Sequence, residues 1–253
     1  MAVSPALAGE STALSISRAG APGRDVPGAL LKSDITAGLA VLVEPEDATL
    51  ALELAGTKRW LTLVLTSSDA TAKSVRRAVQ QEGAQGLVTV GTLADGVIPL
   101  ADHMANLVVV ESRTKVDEAE ALRVLVPVRG LALIRKSNRW KKLTKEMPPN
   151  LDGWTHFFHG ADGNKVSADD RLQVPNGLRF IAGPRLQDSN GANGWRIDDG
   201  IAASEWKPTL EDGDRYHEVM MVEGRDAFNG FLLWQRGWSR CIPVSRARQR
   251  PSR

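Results

Sequence analysis

The sequence predicts an α/β domain with a doubly wound parallel sheet, followed by a mainly β segment. Between residues 35 and 135, short apolar runs alternate with stretches of helical periodicity. Apolar runs separated by helices are typical of parallel strands that are covered on both faces. The aromatic residues divide the chain, because only Trp60 and Trp140 precede residue 150, whereas five Trp, five Phe and one Tyr follow it. Two units with different packing are therefore expected.

Five apolar runs of the first unit have the length of buried strands. They are residues 39–43, 61–65, 87–90, 106–110 and 131–134. Three helical patterns lie between these runs. The first follows the candidate N-cap residue Asp47, and the second follows Ser68 or Asp69, either of which can cap it. The third covers Val116 to Leu125. Ligands of doubly wound sheets bind beyond the carboxyl ends of the strands. We therefore expect the site in the loops that follow Val43, Leu65, Val90 and Val110.

The second unit begins after Glu146–Asn150, where two prolines end any helix. Residues 178–182 and 218–222 have the pattern of strands. Asn229-Gly230 predicts a tight turn between two strand-like pieces, so a β-hairpin is expected there.

Charge and cysteine content exclude several classes of protein. The 253 residues carry 32 basic and 30 acidic side chains, and a net charge of +2 favours neither nucleic acid nor an anionic membrane as a partner. Cys241 is the only cysteine, so no internal disulfide and no cysteine-held metal cluster can form. No run approaches the roughly 18 apolar residues of a membrane span, and Met1–Glu10 has no pattern of a signal peptide. The compartment, periplasmic or cytoplasmic, stays open.

Four stretches of sequence carry a resemblance to a known family. They are Ala105–Val110, Arg123–Pro127, Trp154–His156 through Asp162–Asn164, and Arg225–Gly230 with Leu233-Trp234. They resemble large bacterial proteins, common in planctomycete-type genomes, in which a methyltransferase-like Rossmann domain is fused to a pyrroloquinoline quinone (PQQ)-type β-propeller. The resemblance implies S-adenosylmethionine or PQQ as a cofactor. It also implies a methyltransferase-like Rossmann domain at 28–146 and the start of a propeller at 147–236. Composition predicts a poorly ordered leader at 1–27 and a disordered basic tail at 237–253.

The sequence departs from the family at the positions that hold S-adenosylmethionine. A glycine-rich turn after the first strand lets the backbone approach the ligand, but this chain has Glu44-Pro45-Glu46-Asp47 there. An acidic residue normally ends the second strand and binds the ribose hydroxyls, but Thr66 and Ser67 occupy that place. We therefore expect no bound cofactor. If the site survives, its binding residues are Glu44, Asp47, Asp69 and Asp102.

Length is the second departure, because a propeller needs several four-stranded blades of roughly 40 residues each, and fewer than two fit after Trp154. We interpret the chain as a non-enzymatic interaction or scaffold fragment, a pseudoenzyme that other propeller blades or a protein partner complete. Unpaired strand edges would also permit self-association. The first alternative is an S-adenosylmethionine-dependent methyltransferase with an atypical cofactor loop. The second is part of a quinone-dependent dehydrogenase.

Two polar clusters have both a structural and a metal-binding interpretation. The acidic loop at residues 44–47 suits the positive end of a helix better than a metal site. His156 and His159 lie near Asp162 and Asn164, but the spacing of a calcium loop is absent. A structural role is favoured for both clusters.

A basic stretch from Arg135 to Lys145 surrounds Trp140. Such a stretch suits a nucleic-acid strand that stacks on the tryptophan, but it also suits a connector between domains. We favour the connector, because no wider basic surface is predicted. Motifs of serine hydrolases, P-loop nucleotide hydrolases and zinc proteases are absent from the sequence.

Overall fold

The structure is a computed structural model that describes residues 35–111, 114–136, 139–170, 195–206, 209–212 and 215–243. Two β-sheets organise these residues: a six-stranded, mostly parallel sheet flanked by helices, and an antiparallel sheet. The predicted leader at 1–27 lies outside the described residues. In the ranges given above, no helix is long and apolar enough to cross a membrane.

The α/β domain follows the predicted alternation of strands and helices. Its elements are β1 (Gly38–Val43), α1 (Thr49–Gly56), β2 (Trp60–Thr66), α2 (Asp69–Gln81), β3 (Val88–Thr92), β4 (Leu107–Val110), α3 (Glu118–Val124), β5 (Leu131–Lys136) and β6 (Arg139–Leu143). The five predicted strands are confirmed, and they pair in parallel in the order β3-β2-β1-β4-β5. Leu42 and Val109 pack with α1 and α2, whereas Val41 and Val108 pack with α3. The predicted doubly wound arrangement is thereby confirmed.

The sixth strand, β6, has no counterpart among the predicted strands. It pairs antiparallel with β5 and forms an edge of the sheet. Only Trp140 and Leu143 of this strand are partly buried, and the other residues are exposed. Because β6 buries only two side chains, its sequence contains no apolar run that would predict a strand. The basic composition of residues 139–143 predicts a connector instead.

Side chains at two helix starts fix the loops at the carboxyl ends of β1 and β2. Ser68 caps α2 as predicted, since its Oγ accepts a hydrogen bond from the N–H of Thr71 at 3.2 Å. Asp47 lies one residue before Ala48, the N-cap residue of α1, and its carboxylate accepts the N–H of Thr49 at 2.8 Å. Both side chains satisfy amide groups that a helix leaves without internal partners.

The antiparallel sheet contains the predicted hairpin. Its strands are β7 (Arg196–Asp198), β8 (Ile201–Trp206), β9 (Thr209–Asp212), β10 (Arg215–Asp226) and β11 (Leu232–Pro243). They pair in the order β11-β10-β8-β7, and β9 also pairs with β10. The strand predicted at 218–222 lies within β10, whereas the one predicted at 178–182 falls outside the described residues. Residues 227–231 join β10 to β11, a longer loop than a two-residue Asn-Gly turn.

Strand β11 continues through residues 237–243, where the sequence analysis placed a basic tail. This part of β11 pairs with residues 215–221 of β10. Antiparallel pairing uses backbone hydrogen bonds, so it tolerates a basic sequence without regular alternation. For these residues a strand replaces the predicted tail.

Strand β1 begins at a glycine that packs directly against another strand. Gly38 has a φ of 138°, and a Cβ at this position would lie 2.1 Å from Oδ1 of Asn106. Asn106 immediately precedes β4, and its Oδ1 accepts the N–H of Leu39 at 3.0 Å. The close approach of Asn106 to β1 therefore requires glycine.

We expect Gly38→Ala to lower the free energy of unfolding by about 3 kcal/mol, because the methyl group displaces Asn106 and the backbone is strained. Urea denaturation followed by circular dichroism measures this change. Gly56→Ala, at the end of α1, is the control, since a Cβ there meets nothing within 4 Å. Helix propensity favours alanine at that position by up to about 1 kcal/mol. A Gly38→Ala protein as stable as the wild type contradicts the close packing of Asn106 on β1.

Candidate functional site

A doubly wound fold binds its ligand at the carboxyl edge of the sheet, where the strand order reverses. The reversal lies between β1 and β4, so the switch point is flanked by the loops that follow Val43 and Val110. These loops begin with Glu44 and Glu111, and β2 ends nearby at Thr66. The edge therefore presents carboxylates where a glycine-rich turn would leave room for a ligand.

Glu44 fills the space between the ends of β1 and β2. Its backbone is left-handed, with a φ of 48°. Oε2 accepts a hydrogen bond from the hydroxyl of Thr66 at 2.8 Å, and Oε1 accepts the N–H of Ser67 at 2.7 Å. Burial raises the pKa of Glu44, but the hydrogen bonds from Ser67 and Thr66 outweigh it and hold the pKa below its ordinary value. Glu44 is thus an ionised carboxylate that joins the two loops.

Arg135 links the loops on either side of the switch point. From β5, its Nη1 donates to Oε1 of Glu46 at 2.8 Å and to Oε2 of Glu111 at 3.1 Å. The side chains of Arg135 and Glu111 are 16% and 17% exposed, whereas that of Glu46 is 66% exposed. Burial raises the pKa of Glu111, and Arg135 lowers it only in part. The ring of Trp140 lies against the guanidinium, with its centroid 5.9 Å from Cζ of Arg135.

Three of the four predicted cofactor-binding residues lie at the carboxyl edge. Glu44 and Asp47 are in the loop after β1, and Asp69 begins α2 after β2. Asp102 lies at the opposite edge, before β4, where it forms an ion pair of 2.9 Å with Arg123 of α3. The hydrogen bond from Arg123 lowers the pKa of Asp102 against the effect of burial. The structure therefore separates Asp102 from the other three residues.

A buried polar cluster joins the two sheets at the amino edge of the parallel sheet. It consists of Asn106, before β4, and of Asp226 and Asn229, at the β10–β11 turn, and we name it the junction. Asn106 Nδ2 donates to Asp226 Oδ2 at 2.8 Å, and Asn229 Nδ2 donates to Asn106 Oδ1 at 2.7 Å. Asn229 Nδ2 also donates to the carbonyl of Met104 at 2.8 Å. The side chains that meet here are 120 and 123 residues apart in the sequence.

The side chains of the junction are hydrogen-bonded to one another and to the backbone. Asp226 is fully buried, which raises its pKa. Its Oδ1 accepts the N–H groups of Phe228 and Asn229 at 2.9 and 3.2 Å, and these bonds lower the pKa in part. Buried polar groups cost free energy unless they are paired, so this network favours one arrangement of the two sheets. The sequence contains one signal of it, a polar Asn106 that precedes an otherwise apolar strand.

The histidine loop makes contacts typical of a structural role. Nε2 of His159 lies 2.6 Å from Oδ2 of Asp152, and its ring packs against Trp154 with centroids 5.1 Å apart. The backbone of Trp154 pairs with Ile197 in β7. Over the part of the chain that the structure describes, no group of three or more His, Cys, Asp or Glu side chains could hold a metal ion. The contacts support the structural interpretation of residues 154–164.

Three cations of the basic stretch in β5 and β6 form ion pairs within the chain. Arg135 binds two glutamates, as described above. Lys136 and Lys141 both bind Glu118 and lower the pKa of that carboxyl to about 2. Lys145 donates to two backbone carbonyls at the end of α3. These cations serve the packing of the α/β domain, and residues 139–143 form the edge strand β6 rather than the predicted connector.

Solved S-adenosylmethionine-dependent methyltransferases are among the structural neighbours of the chain. A candidate S-adenosyl-L-methionine-dependent methyltransferase from Methanococcus maripaludis is 18% identical with a TM-score of 0.39, and the match covers 43% of this chain and 52% of that one. A candidate sarcosine dimethylglycine methyltransferase from Galdieria sulphuraria is 19% identical with a TM-score of 0.39, and the match covers 43% of each chain. A methyltransferase from Clostridium acetobutylicum is 8% identical with a TM-score of 0.36, covering 88% of this chain and 73% of that one.

No protein-family model matches the sequence, and no curated protein matches it. The chain spans about half or less of the length of the first two structures. Its α/β class is established by the parallel sheet itself, with the order β3-β2-β1-β4-β5. Since all three TM-scores lie below 0.5, the activity of the chain is inferred from its own residues.

We expect Glu44→Gln to remove a stabilising contribution that depends on pH. The folded pKa of Glu44 lies below the unfolded value, so its stabilisation is present above about pH 4.3 and is lost as the pH falls through the folded pKa. The wild type should be more stable than the variant by up to about 1 kcal/mol at neutral pH, and this difference should shrink in acid. Urea unfolding across the pH range measures it, with Glu82→Gln at the exposed end of α2 as the control. A difference that does not change with pH contradicts an ionised Glu44.

Asn229→Asp should break the junction. A carboxylate at this position would face Asn106 Oδ1 and the carbonyl of Met104, where Nδ2 of Asn229 now donates. We expect a loss of roughly 3–4 kcal/mol in the free energy of unfolding, because a charge is buried without a donor. Chemical denaturation measures this loss. Asn164→Asp, in an exposed loop, is the matched control and should change stability by less than about 0.5 kcal/mol. Equal losses in the two variants would show that the junction does not hold the sheets.

Proposed function

We propose that this chain is a non-enzymatic interaction module, in which the α/β domain is the platform for the antiparallel sheet. The junction carries this proposal, because Asn106 binds Asp226 and Asn229 from the β10–β11 turn in a fully buried network. Arg59 adds a long contact from the same edge, with its Nη2 3.5 Å from the carbonyl of Leu233. A platform needs rigid burial at the contact surface rather than an open cleft.

The carboxyl edge supports the same proposal. Tight binding of S-adenosylmethionine needs a close approach of the ligand to the backbone between β1 and β2. Glu44 occupies this space and binds both Thr66 and Ser67. A ligand would have to displace an ionised carboxylate from two donors. We therefore expect the chain to catalyse no methyl transfer.

The platform proposal also assigns a role to the antiparallel sheet. We take this sheet as the first blade region of a PQQ-type propeller, which other blades or a protein partner complete. In support, β7, β8, β10 and β11 form a four-stranded antiparallel order, as a blade does. Trp234 packs over Gly224, where a Cβ would lie 2.3 Å from the indole. Trp234 is still 42% exposed, so it offers a surface on which a neighbouring blade can pack. The outer edge of β11 would also allow self-association.

Glu44 also favours a second candidate, an S-adenosylmethionine-dependent methyltransferase with an atypical cofactor loop. Its carboxylate is ionised and partly exposed beside the end of β2. There it can accept hydrogen bonds from ribose hydroxyls in place of the missing acid on β2. A quinone-dependent dehydrogenase has no comparable support, because its cofactor would lie on the axis of a complete ring.

Calorimetric titration of the folded chain with S-adenosylhomocysteine separates the two candidates. The platform proposal predicts no detectable heat, because Glu44 blocks the ligand. One-to-one binding with a micromolar Kd overturns it and supports the methyltransferase. In that case Glu44→Gln and Asp69→Asn should weaken binding. Asp102→Asn tests a further predicted residue, and it should leave the affinity unchanged because Asp102 lies at the opposite edge.

A further inference from the structure

The turn between β10 and β11 contains the pair Asn229-Gly230. An asparagine that precedes glycine is prone to deamidation, because glycine has no Cβ to hinder the approach of its amide nitrogen to the asparagine side chain. Deamidation replaces the side-chain amide by a carboxylate. At Asn229 it would remove the NH₂ group that binds Asn106 and the carbonyl of Met104. This pair therefore carries a reaction that acts directly on the junction.

In the folded chain, both groups that would react are held by hydrogen bonds. Nδ2 of Asn229, the leaving group, donates to Asn106 Oδ1 at 2.7 Å, and Oδ1 of Asn229 accepts the N–H of Phe231 at 3.0 Å. The N–H of Gly230, the attacking group, donates to the carbonyl of Asp226 at 2.8 Å. Asn229 is only 9% exposed. The reaction therefore requires that these hydrogen bonds open first.

We propose that Asn229 is a deamidation site that reacts only when the junction opens locally. In the open state, solvent base removes the amide proton of Gly230, and the nitrogen attacks Cγ of Asn229. The new N–Cγ bond closes a succinimide ring as the Cγ–Nδ2 bond breaks, and Nδ2 leaves as ammonia with a proton from water. A water molecule then opens the ring and leaves aspartate or isoaspartate at position 229. The net reaction consumes one water and releases one ammonia.

Deamidation makes the opening of the junction permanent. The new carboxylate faces Asn106 Oδ1 and the carbonyl of Met104, where Nδ2 of Asn229 donates before the reaction. A buried carboxylate without a donor is strongly destabilising, and isoaspartate also lengthens the backbone of the turn by one methylene group. Asn229 is thus a one-way switch that releases the antiparallel sheet from the α/β domain. The switch depends on the junction alone, whether or not the chain binds S-adenosylhomocysteine.

Peptide mapping by mass spectrometry of the full chain, aged in mildly alkaline buffer, measures the reaction. Trypsin releases Asn229 in the peptide 226–236, which contains no other asparagine, and Asn176, which also precedes glycine, in the peptide 172–179. In guanidinium chloride the two asparagines should react at similar rates, because glycine follows both. In native buffer Asn229 should react about a hundredfold more slowly than in guanidinium chloride, since opening of the junction limits it. Equal rates for Asn229 in the two solutions overturn the proposal.

The dependence of the rate on denaturant separates opening of the junction from unfolding of the whole chain. Local opening exposes little surface, so the rate at Asn229 should change little with guanidinium chloride below the unfolding transition. A rate that rises as steeply as the unfolding equilibrium constant overturns the proposal. So does the absence of deamidation at Asn229 in native buffer.

Two variants test the control by the junction. Asn106→Ala removes an acceptor of Asn229 Nδ2 and should speed deamidation in native buffer by about tenfold. Val75→Ala, at a buried position of α2, lowers the stability of the whole chain and should leave the rate unchanged. Equal acceleration in the two variants overturns the proposal. If Asn106→Ala does not fold, the denaturant dependence of the wild type decides.

Discussion

Asn106 is the side chain through which the two sheets are held together. Its amide oxygen accepts hydrogen bonds from β1 and from Asn229, and its amide nitrogen donates to Asp226. The same side chain requires a glycine at position 38, because no Cβ fits beside it. A buried polar network is stabilising only when each member is paired, and here the partners come from three distant segments. The positions of β1, β4 and the β10–β11 turn therefore depend on one another.

The two edges of the parallel sheet have different roles. At the amino edge, the junction buries polar groups and binds the second sheet. At the carboxyl edge, Glu44 and Arg135 join neighbouring loops through charged hydrogen bonds that remain partly open to solvent. Fold alone does not determine activity, because activity lies in the site. In this chain the amino edge holds the second sheet through the junction, and the carboxyl edge presents charged side chains at the switch point.

Much of the α/β domain could be predicted from the sequence, because its burial is local and periodic. Residues 39–43 and 107–110 are apolar throughout, as strands covered on both faces must be. Ser68 predicts the start of α2, since a cap needs only amide groups two or three residues ahead. Strand β6 escaped prediction because it buries few side chains. Lys136 and Lys141 of the basic stretch pair with Glu118, a contact that no local pattern reveals.

By itself, the sequence determined the α/β class, the order of the strands along the chain, the acidic loop after β1 and the hairpin that ends the described residues. Only the tertiary structure decided which polar groups meet. Asn229 was assigned to a turn, yet its amide binds Asn106 across 123 residues. Arg135 was assigned to a connector, yet it bridges Glu46 and Glu111 at the switch point. Periodicity indicates which residues are buried. The partner of a buried hydrogen bond depends on how the two sheets pack, and no single segment of the sequence determines that packing.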